Sequence, residues 1–523
     1  MQNQPSIFKK GLSSKIILPL LILSIFPHLT LLSVFNMNST FTASFLDVEV
    51  DDIQFLFSMA YALMVCTLLF HVRLFQFFSI RSYLLLMTLL NILVLIAMSL
   101  TNNAQVVLVL RFFQGPLTLL EGVILLPILM GEIKGKNSKL IAFSILYGYM
   151  LTGDKFATSL VKFAIDNYSH TMILYTLIIL HLIVLVIYLL LFNENRMFPK
   201  KPLYQMNSSG IVMLMICLVS GSYALIYGKK LYWFESPLIC WAFTFCFIFG
   251  GFFIINQLKS KRKLFHYEVF LSKRVVIGIG LFFGFYMMRA GMSNIYQIMN
   301  TVWQWHWEYV LKIQYFNVAG SIIGIVIAYI LMNKNVSFKT IFSLGFLLIT
   351  VAMYWFRSVF YPDVQLINIA PPLFLEGLAQ GILFTPLVLF MLGSVHPSIS
   401  GSVSMAGTGI RFWSTTIGFA IMQNAMLYLT TKYQTLSLGN LSQTNPMYQE
   451  TWNALFYKFS KSYTYNDAVS LTVSTLKNKV NQHAILASNI QIFTILTLLG
   501  GVITFIILSY SLFKYLKNSK IKT

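Results

Sequence analysis

The stretch TMILYTLIILHLIVLVIYLLLF, residues 171–192, passes through twenty-two positions without an Asp, Glu, Lys or Arg. Crossing the hydrocarbon core of a bilayer takes roughly 20 mostly apolar residues, and a helix apolar on every side has no face to offer water. The stretch is one of about fourteen, near 15–36, 54–72, 82–100, 104–130, 139–165, 170–192, 209–228, 236–257, 274–300, 308–332, 340–360, 364–394, 403–430 and 486–513. With 57% hydrophobic and only 10% charged residues, the chain cannot cover a soluble domain of its length. The expected fold class is therefore an all-α polytopic membrane protein.

The formal charge of +21 does not point to nucleic acid, because the basic residues lie between apolar runs rather than on one face. With the N-terminus inside, most of the 37 lysines and arginines fall on cytoplasmic segments, from Lys9, Lys10 and Lys15 through the linker QLKSKRKLFHYEVFLSKR to the tail lysines 514–522. The first outer loop, FLDVEVDD, is acidic. Both termini are thus expected in the cytoplasm of a multi-pass inner- or plasma-membrane protein. The start, MQNQPSIFKKGLSSK, enters its apolar stretch without a small-residue cleavage site and reads as a retained first helix. The four cysteines lie in apolar segments without metal or redox spacing.

The large inner linker and the helix count divide the chain into an N-terminal six-helix bundle (1–192), a pair of linker helices with a cytoplasmic loop (193–273), and a C-terminal six-helix bundle (274–523) with a long external loop at 431–485. A six, two, six arrangement points to a transporter in which two bundles face a central cavity.

Few ionisable residues lie inside the spans: Arg111, Glu121, Asp154, Lys155, Arg289, Glu376 and Arg411. At a rise of about 1.5 Å per residue, Asp154 and Arg289 both sit ~22 Å above the cytoplasmic helix ends, Arg111 ~28 Å, Glu376 ~27 Å, Glu121 ~14 Å and Arg411 ~12 Å. Charges are costly in lipid and face the bundle interior. The neighbours agree: Arg111 shares a helix face with Gln114, Gly115 and Thr118, and Arg411 with Gly407, Thr415 and Gly418. The bland alternative is that these groups are mutually satisfied ion pairs that fix packing.

Proton coupling needs a carboxylate that cycles between protonated and ionised states, and Asp154, Glu121 and Glu376 are the interior candidates. Asp154 leads, with Lys155 either holding its ionised form or pairing with Glu121, and Arg289 at matching height. Arg111, Lys155, Arg289 and Arg411 are the charge partners. His28 and His181, lone histidines in apolar helices, read as hydrogen-bonded core or interface residues. The stretch WQWHWEY, residues 303–309, reads as an interfacial aromatic belt. No HExxH, His-rich run or Walker loop is present, so neither a membrane-embedded enzyme nor an ATP-driven pump is expected, and no cofactor or metal.

VLVLRFFQGPLTLLEG resembles the "R-x-x-Q-G" motif of the fourteen-helix drug:proton antiporters of the major facilitator superfamily, with Arg111, Gln114 and Gly115 on its Arg, Gln and Gly. PLFLEGLAQGILFTPLVLFMLGSV followed by SGSVSMAGTGIRFWSTTIGFAI is similar to the same family's pattern, placing Arg411 and Gly418 on matching positions. The cytoplasmic loop motif survives only as VRLFQFFSIR, with Gln76 where the family has an acid, and GDKFATS stands near the place of the family's "G-P-x-x-G-G". The resemblance implies a major facilitator fold, proton-coupled efflux of amphipathic small molecules by alternating access, and, in a cell with two membranes, a periplasmic adaptor and outer-membrane channel as partners. A carrier for one specific metabolite or nutrient, by export or proton symport, is the alternative within transport.

Overall fold

The computed structural model describes residues 7–37, 43, 46–135, 137–167, 171–203, 207–439 and 446–520. Within the helices the Asp154 side chain, and those at 510–520 that include the tail lysines Lys514, Lys517 and Lys520, lie outside the described residues, as does Lys522. Among the described residues the regular structure is helical, apart from one isolated bridge between Phe8 and Phe192.

Each of the fourteen apolar stretches forms helix. They are α1 (Ser14–Met37), α2 (Val50–Thr67) followed by the short α3 (His71–Phe77), α4 (Ile80–Ser99), α5 with α6 (Ala104–Val123, Leu125–Glu132), α7 (Ser138–Asn167), α8 (Thr171–Leu191), α9 (Ser208–Tyr227) and α10 (Pro237–Lys259). Then come α11 with α12 (Lys273–Ala290, Met292–Thr301), α13 (Trp307–Asn333), α14 (Phe338–Arg357), α15 (Leu366–Leu392), α16 (Ser400–Gly439) and, after the additional α17 (Pro446–Ser460) in the connection, α18 (Tyr465–Lys520). Eleven described segments are long and apolar enough to cross a membrane on length and hydropathy alone.

Local chemistry sets the ends. Asn103 accepts from the amides of Gln105 and Val106 at the start of α5, Ser79 from Ser82 at α4, and Asn207 from Gly210 at α9. Asp51 and Asp52 stand in the first turn of α2, where the helix dipole favours negative charge. The break at Ile124 between α5 and α6 follows from Pro127, which has no N–H for the carbonyl of Val123 and clashes with it. The break at Gly291 between α11 and α12 falls on a residue poorly suited to a helix interior, where a Cβ would also press on Leu496. Residues 431–485, expected as a long connection, are themselves mostly helical: α16 runs on to Gly439, α17 packs on α18, and Tyr433 donates to Gln491 at 2.9 Å.

Contacts group the chain into two compact units, Met1–Phe283 with Val318–Gly345 and Gly377–Ile417, and Gly284–Asn317 with Phe346–Glu376 and Gly418–Thr523. In the first, α1, α4, α5, α6 and α8 surround one core that contains Leu21, Ile25, Tyr83, Leu84, Leu120, Leu125, Val184 and Tyr188. The pair α9 and α10 pack on each other, and α9 on α2, where Tyr227 donates to Asp52 at 2.5 Å. Outward, α10 exposes Leu238, Trp241, Phe245, Phe247, Ile248 and Phe252, and α8 exposes Ile179, Leu182, Ile183, Val186 and Leu190. Apolar faces this continuous suit contact with lipid tails.

In the second unit Phe493 packs edge-on and tilted against Phe356 and Phe360, with ring centroids 5.6 and 5.0 Å away, and Trp303 Nε1 donates to the Tyr361 carbonyl at 2.9 Å. Gly500 faces Thr350 and Met288 with no room for a Cβ, so α18 meets its neighbours through a small residue, the usual device where no water drives helices together.

Candidate functional site

Polar side chains sealed among apolar helices are retained only with partners, so the partners define the sites. Four groups stand out. The most enclosed lies in the first unit, where α1, α5 and α8 bring His28, Glu121 and His181 together at 0–1% exposure. Glu121 Oε2 lies 3.1 Å from His28 Nδ1 and 3.9 Å from His181 Nε2. Asn91 on α4 donates to the same oxygen. Behind the rings, His28 Nε2 is 3.0 Å from the Tyr188 hydroxyl and His181 Nδ1 is 2.8 Å from the Leu177 carbonyl. The two imidazoles meet edge to face with centroids 5.6 Å apart.

Nearby on α5, Arg111 is buried and directs Nη1 to the Leu31 carbonyl at 3.3 Å and to Gln114 Oε1 at 2.5 Å. One turn away Gly115 lies so close to α2 that a Cβ would overlap the carbonyl of Ala60.

The second unit holds the Glu376 group. Glu376 is 2% exposed, with Arg289 Nε at 3.3 Å from Oε1, Asn317 Nδ2 donating to Oε2 at 2.5 Å and to the Leu373 carbonyl at 2.9 Å. Arg289 is itself 24% exposed and lies over the Phe285 and Tyr286 rings, 5.7 and 6.0 Å from their centroids. The fourth group is Arg411, partly buried, with Nε on the Gly407 carbonyl at 3.1 Å, Nη2 on Thr408 Oγ1 at 2.8 Å, Nη1 3.7 Å from Met150 Sδ, and its plane 5.5 Å from the Phe384 ring. Lys155 is buried, and its Nζ reaches back to the Leu151 carbonyl at 3.3 Å.

Arg289 pairs with Glu376, and Glu121 with two histidines and an asparagine; the Asp154 side chain, expected level with Arg289, lies outside the described residues. Gly418, expected beside Arg411 on one face, packs with no room for a Cβ against Ala290. Two asparagines escaped the sequence reading. Asn91 is a lone amide in an apolar helix, and Asn317 belongs to the stripe Gln314, Asn317, Ser321, Gly324 on one face of α13, a period that was there to be seen. The Gln114–Gly115 pair also has a counterpart, Gln380–Gly381 on α15: Gln380 donates to Ser321 at 2.7 Å, and Gly381 abuts the Ser321 carbonyl.

No family model matches the chain. Over 257 residues it is 22% identical to the multidrug export protein EmrB of Escherichia coli K12, covering 48% of this chain and 49% of that protein. Over 215 residues it is 20% identical to the fatty acid resistance protein FarB of Neisseria gonorrhoeae, covering 40% of each. The chain thus spans about half or less of the curated relatives it matches. The solved structures reach further. A POT family transporter in complex with 5-aminolevulinic acid aligns with 91% of this chain and 99% of its own, at 14% identity and a TM-score of 0.58. The major facilitator superfamily proton:xylose symporter XylE aligns with 80% and 90%, at 12% identity and a TM-score of 0.52. The fold is the major facilitator fold.

The solved structures that the chain resembles in fold are transporters rather than enzymes. Among the described residues, α5 and α11 each carry a site residue just before a break, Glu121 ahead of Ile124 and Arg289 ahead of Gly291. Breaks of this kind free backbone groups where a membrane helix passes an internal polar site.

Proposed function

We propose that the chain is a secondary active transporter that exports amphipathic small molecules in exchange for protons, with Glu376 as the coupling carboxylate. The observation that carries this reading is the Glu376–Arg289 pair: the carboxylate is buried, while its arginine is open enough to hold a second anion beside it. Exchange requires that the pair carry proton and substrate in turn: Arg289 holds the substrate's anionic group beside ionised Glu376 on the outward passage, and Glu376 returns protonated after the substrate has left. Such a cycle moves one proton inward for each anionic head group carried out. Phe285 and Tyr286 beside Arg289 supply an apolar wall for the rest of an amphipathic molecule.

The relatives' names support the direction and the class: EmrB is a multidrug export protein and FarB a fatty acid resistance protein. Amphipathic carboxylates are therefore the substrates of choice. Asp154 and Glu121 remain candidates for carrying protons, and Arg111, Lys155 and Arg411 for charge balance, with Gln114, Gly115 and Gly418 shaping the helix crossings. An adaptor and outer-membrane channel would extend the path in a cell with two membranes. We place the protein in the inner or plasma membrane with both termini cytoplasmic, the 1–192 and 274–523 segments forming the two bundles.

Inside-out vesicles test the transport reading. With an acid lumen they should accumulate a membrane-impermeant fluorescent amphipathic carboxylate severalfold over vesicles without the protein, and equal levels would reject it. Orientation is separately testable in a cysteine-free background: Ser260→Cys should react with an impermeant maleimide only from the cytoplasmic side and Ser462→Cys only from the outside. Labelling of both from one side would overturn the topology.

A further inference from the structure

The enclosed triad of the first unit has a feature that a proton does not satisfy. A carbonyl can only accept, so the 2.8 Å contact from His181 Nδ1 to Leu177 places the ring hydrogen on Nδ1 and leaves a lone pair on Nε2. That lone pair faces the Glu121 carboxylate across 3.9 Å, and Nε2 has no hydrogen-bond partner among the described residues. His28 Nδ1 lies 3.1 Å from the same oxygen but also lacks hydrogen-bonding geometry. Three electron-pair donors from three helices thus converge, all within 4.8 Å of one another and all fully buried. Donors that face each other in an apolar interior repel unless a cation stands between them.

A proton on His28 Nδ1 would serve the shorter contact, but 3.9 Å is too long for a hydrogen bond from His181. A divalent ion serves both. Ligand atoms bound tetrahedrally at about 2.0–2.2 Å lie about 3.3–3.6 Å from each other. The observed separations of 3.1 and 3.9 Å bracket that value. The surroundings are those of ligating histidines, whose second nitrogen is held by a carbonyl or hydroxyl that fixes the ring: Leu177 behind His181 and Tyr188 behind His28. Asn91 similarly orients the carboxylate. Two imidazoles and one carboxylate suit a borderline first-row cation, above all Zn2+, rather than Mg2+ or Ca2+, which take oxygen ligands.

We propose that His28, Glu121 and His181 form a transition-metal site, occupied by Zn2+, that clamps α1, α5 and α8 inside the N-terminal part of the chain. The site is separate from the Glu376–Arg289 pair, so its existence does not depend on the transport reading. The full-length chain, purified in detergent without a histidine tag from zinc-supplemented cells and washed with chelator, should contain about one zinc per chain by elemental analysis. His28→Ala and His181→Ala should each lower this at least tenfold and lower the thermal midpoint. Wild-type protein with zinc at background before and after incubation with Zn2+, or His181→Ala retaining the wild-type content, would overturn the proposal. Should the variants fail to fold, Co2+ decides on wild-type protein alone. Metal-depleted chain should give an intense low-symmetry Co2+ ligand-field spectrum that Zn2+ abolishes, whereas a spectrum identical to aqueous Co2+ would overturn the site.

Discussion

Gly115→Val is expected to remove nearly all folded protein from the membrane. At this position α5 touches α2 backbone to backbone, and any Cβ would overlap the Ala60 carbonyl, which cannot rotate away as a side chain could. The helices would have to separate along a contact that also carries Arg111 and Gln114, both buried. Overpacking in a well-packed interior costs about 1–3 kcal/mol or more, and here it also removes the close van der Waals contact that holds membrane helices together. Gly381→Val should behave alike, because α15 and α13 cross through Gly381 and Gly324, each against the other's backbone. Gly251→Ala is the control: nothing lies within 4 Å of its added Cβ, so expression and monodispersity should match wild type or improve. Size-exclusion profiles of fluorescent fusions would read all three. Normal profiles for Gly115→Val would mean that the α5–α2 crossing is looser than described.

Glu376→Gln is expected to abolish gradient-driven accumulation of substrate, by tenfold or more, while exchange of substrate down its own gradient persists. The amide keeps the shape of the carboxyl group, and its oxygen can still accept from Asn317, but it cannot release a proton. Removing one member of a sealed ion pair costs about 3–5 kcal/mol, yet Arg289 is open enough to be hydrated, so the protein should still fold. Counterflow and pH-driven uptake measured on the same proteoliposomes separate the two outcomes. Loss of both activities in a well-folded variant would make Glu376 a binding residue only, and retention of both would leave coupling to Asp154.

These effects trace what could be read from the sequence. The spans were legible because lipid allows few choices: stretches such as 171–192 have no alternative to helix, and every one of the fourteen forms it. The interior charged residues were legible for the same reason, since a charge in an apolar run stands out. Their partners were not. Arg289 and Glu376 differ in height by the sequence estimate yet meet, because a guanidinium on a long side chain spans several ångströms and because rotation of α11 and α15 about their axes, which no single helix encodes, decides the contact. Glu121 found two histidines that looked like isolated core residues on their own helices; only the packing of α1 and α8 around α5 makes them a group. Asn317 shows the reverse case, for its polar stripe on α13 carried a periodic signal that attention to charge alone passed over.

The central claim is that substrate and proton move in opposite directions through this protein. In proteoliposomes loaded with a trapped pH-sensitive dye and holding no initial pH gradient, a concentration gradient of an amphipathic carboxylate directed inward should make the lumen more acid-depleted, as protons leave in exchange for the entering anion, and Glu376→Gln should give no signal. An unchanged lumen with wild-type protein that demonstrably transports the same compound, or acidification of the lumen as in symport, would contradict it.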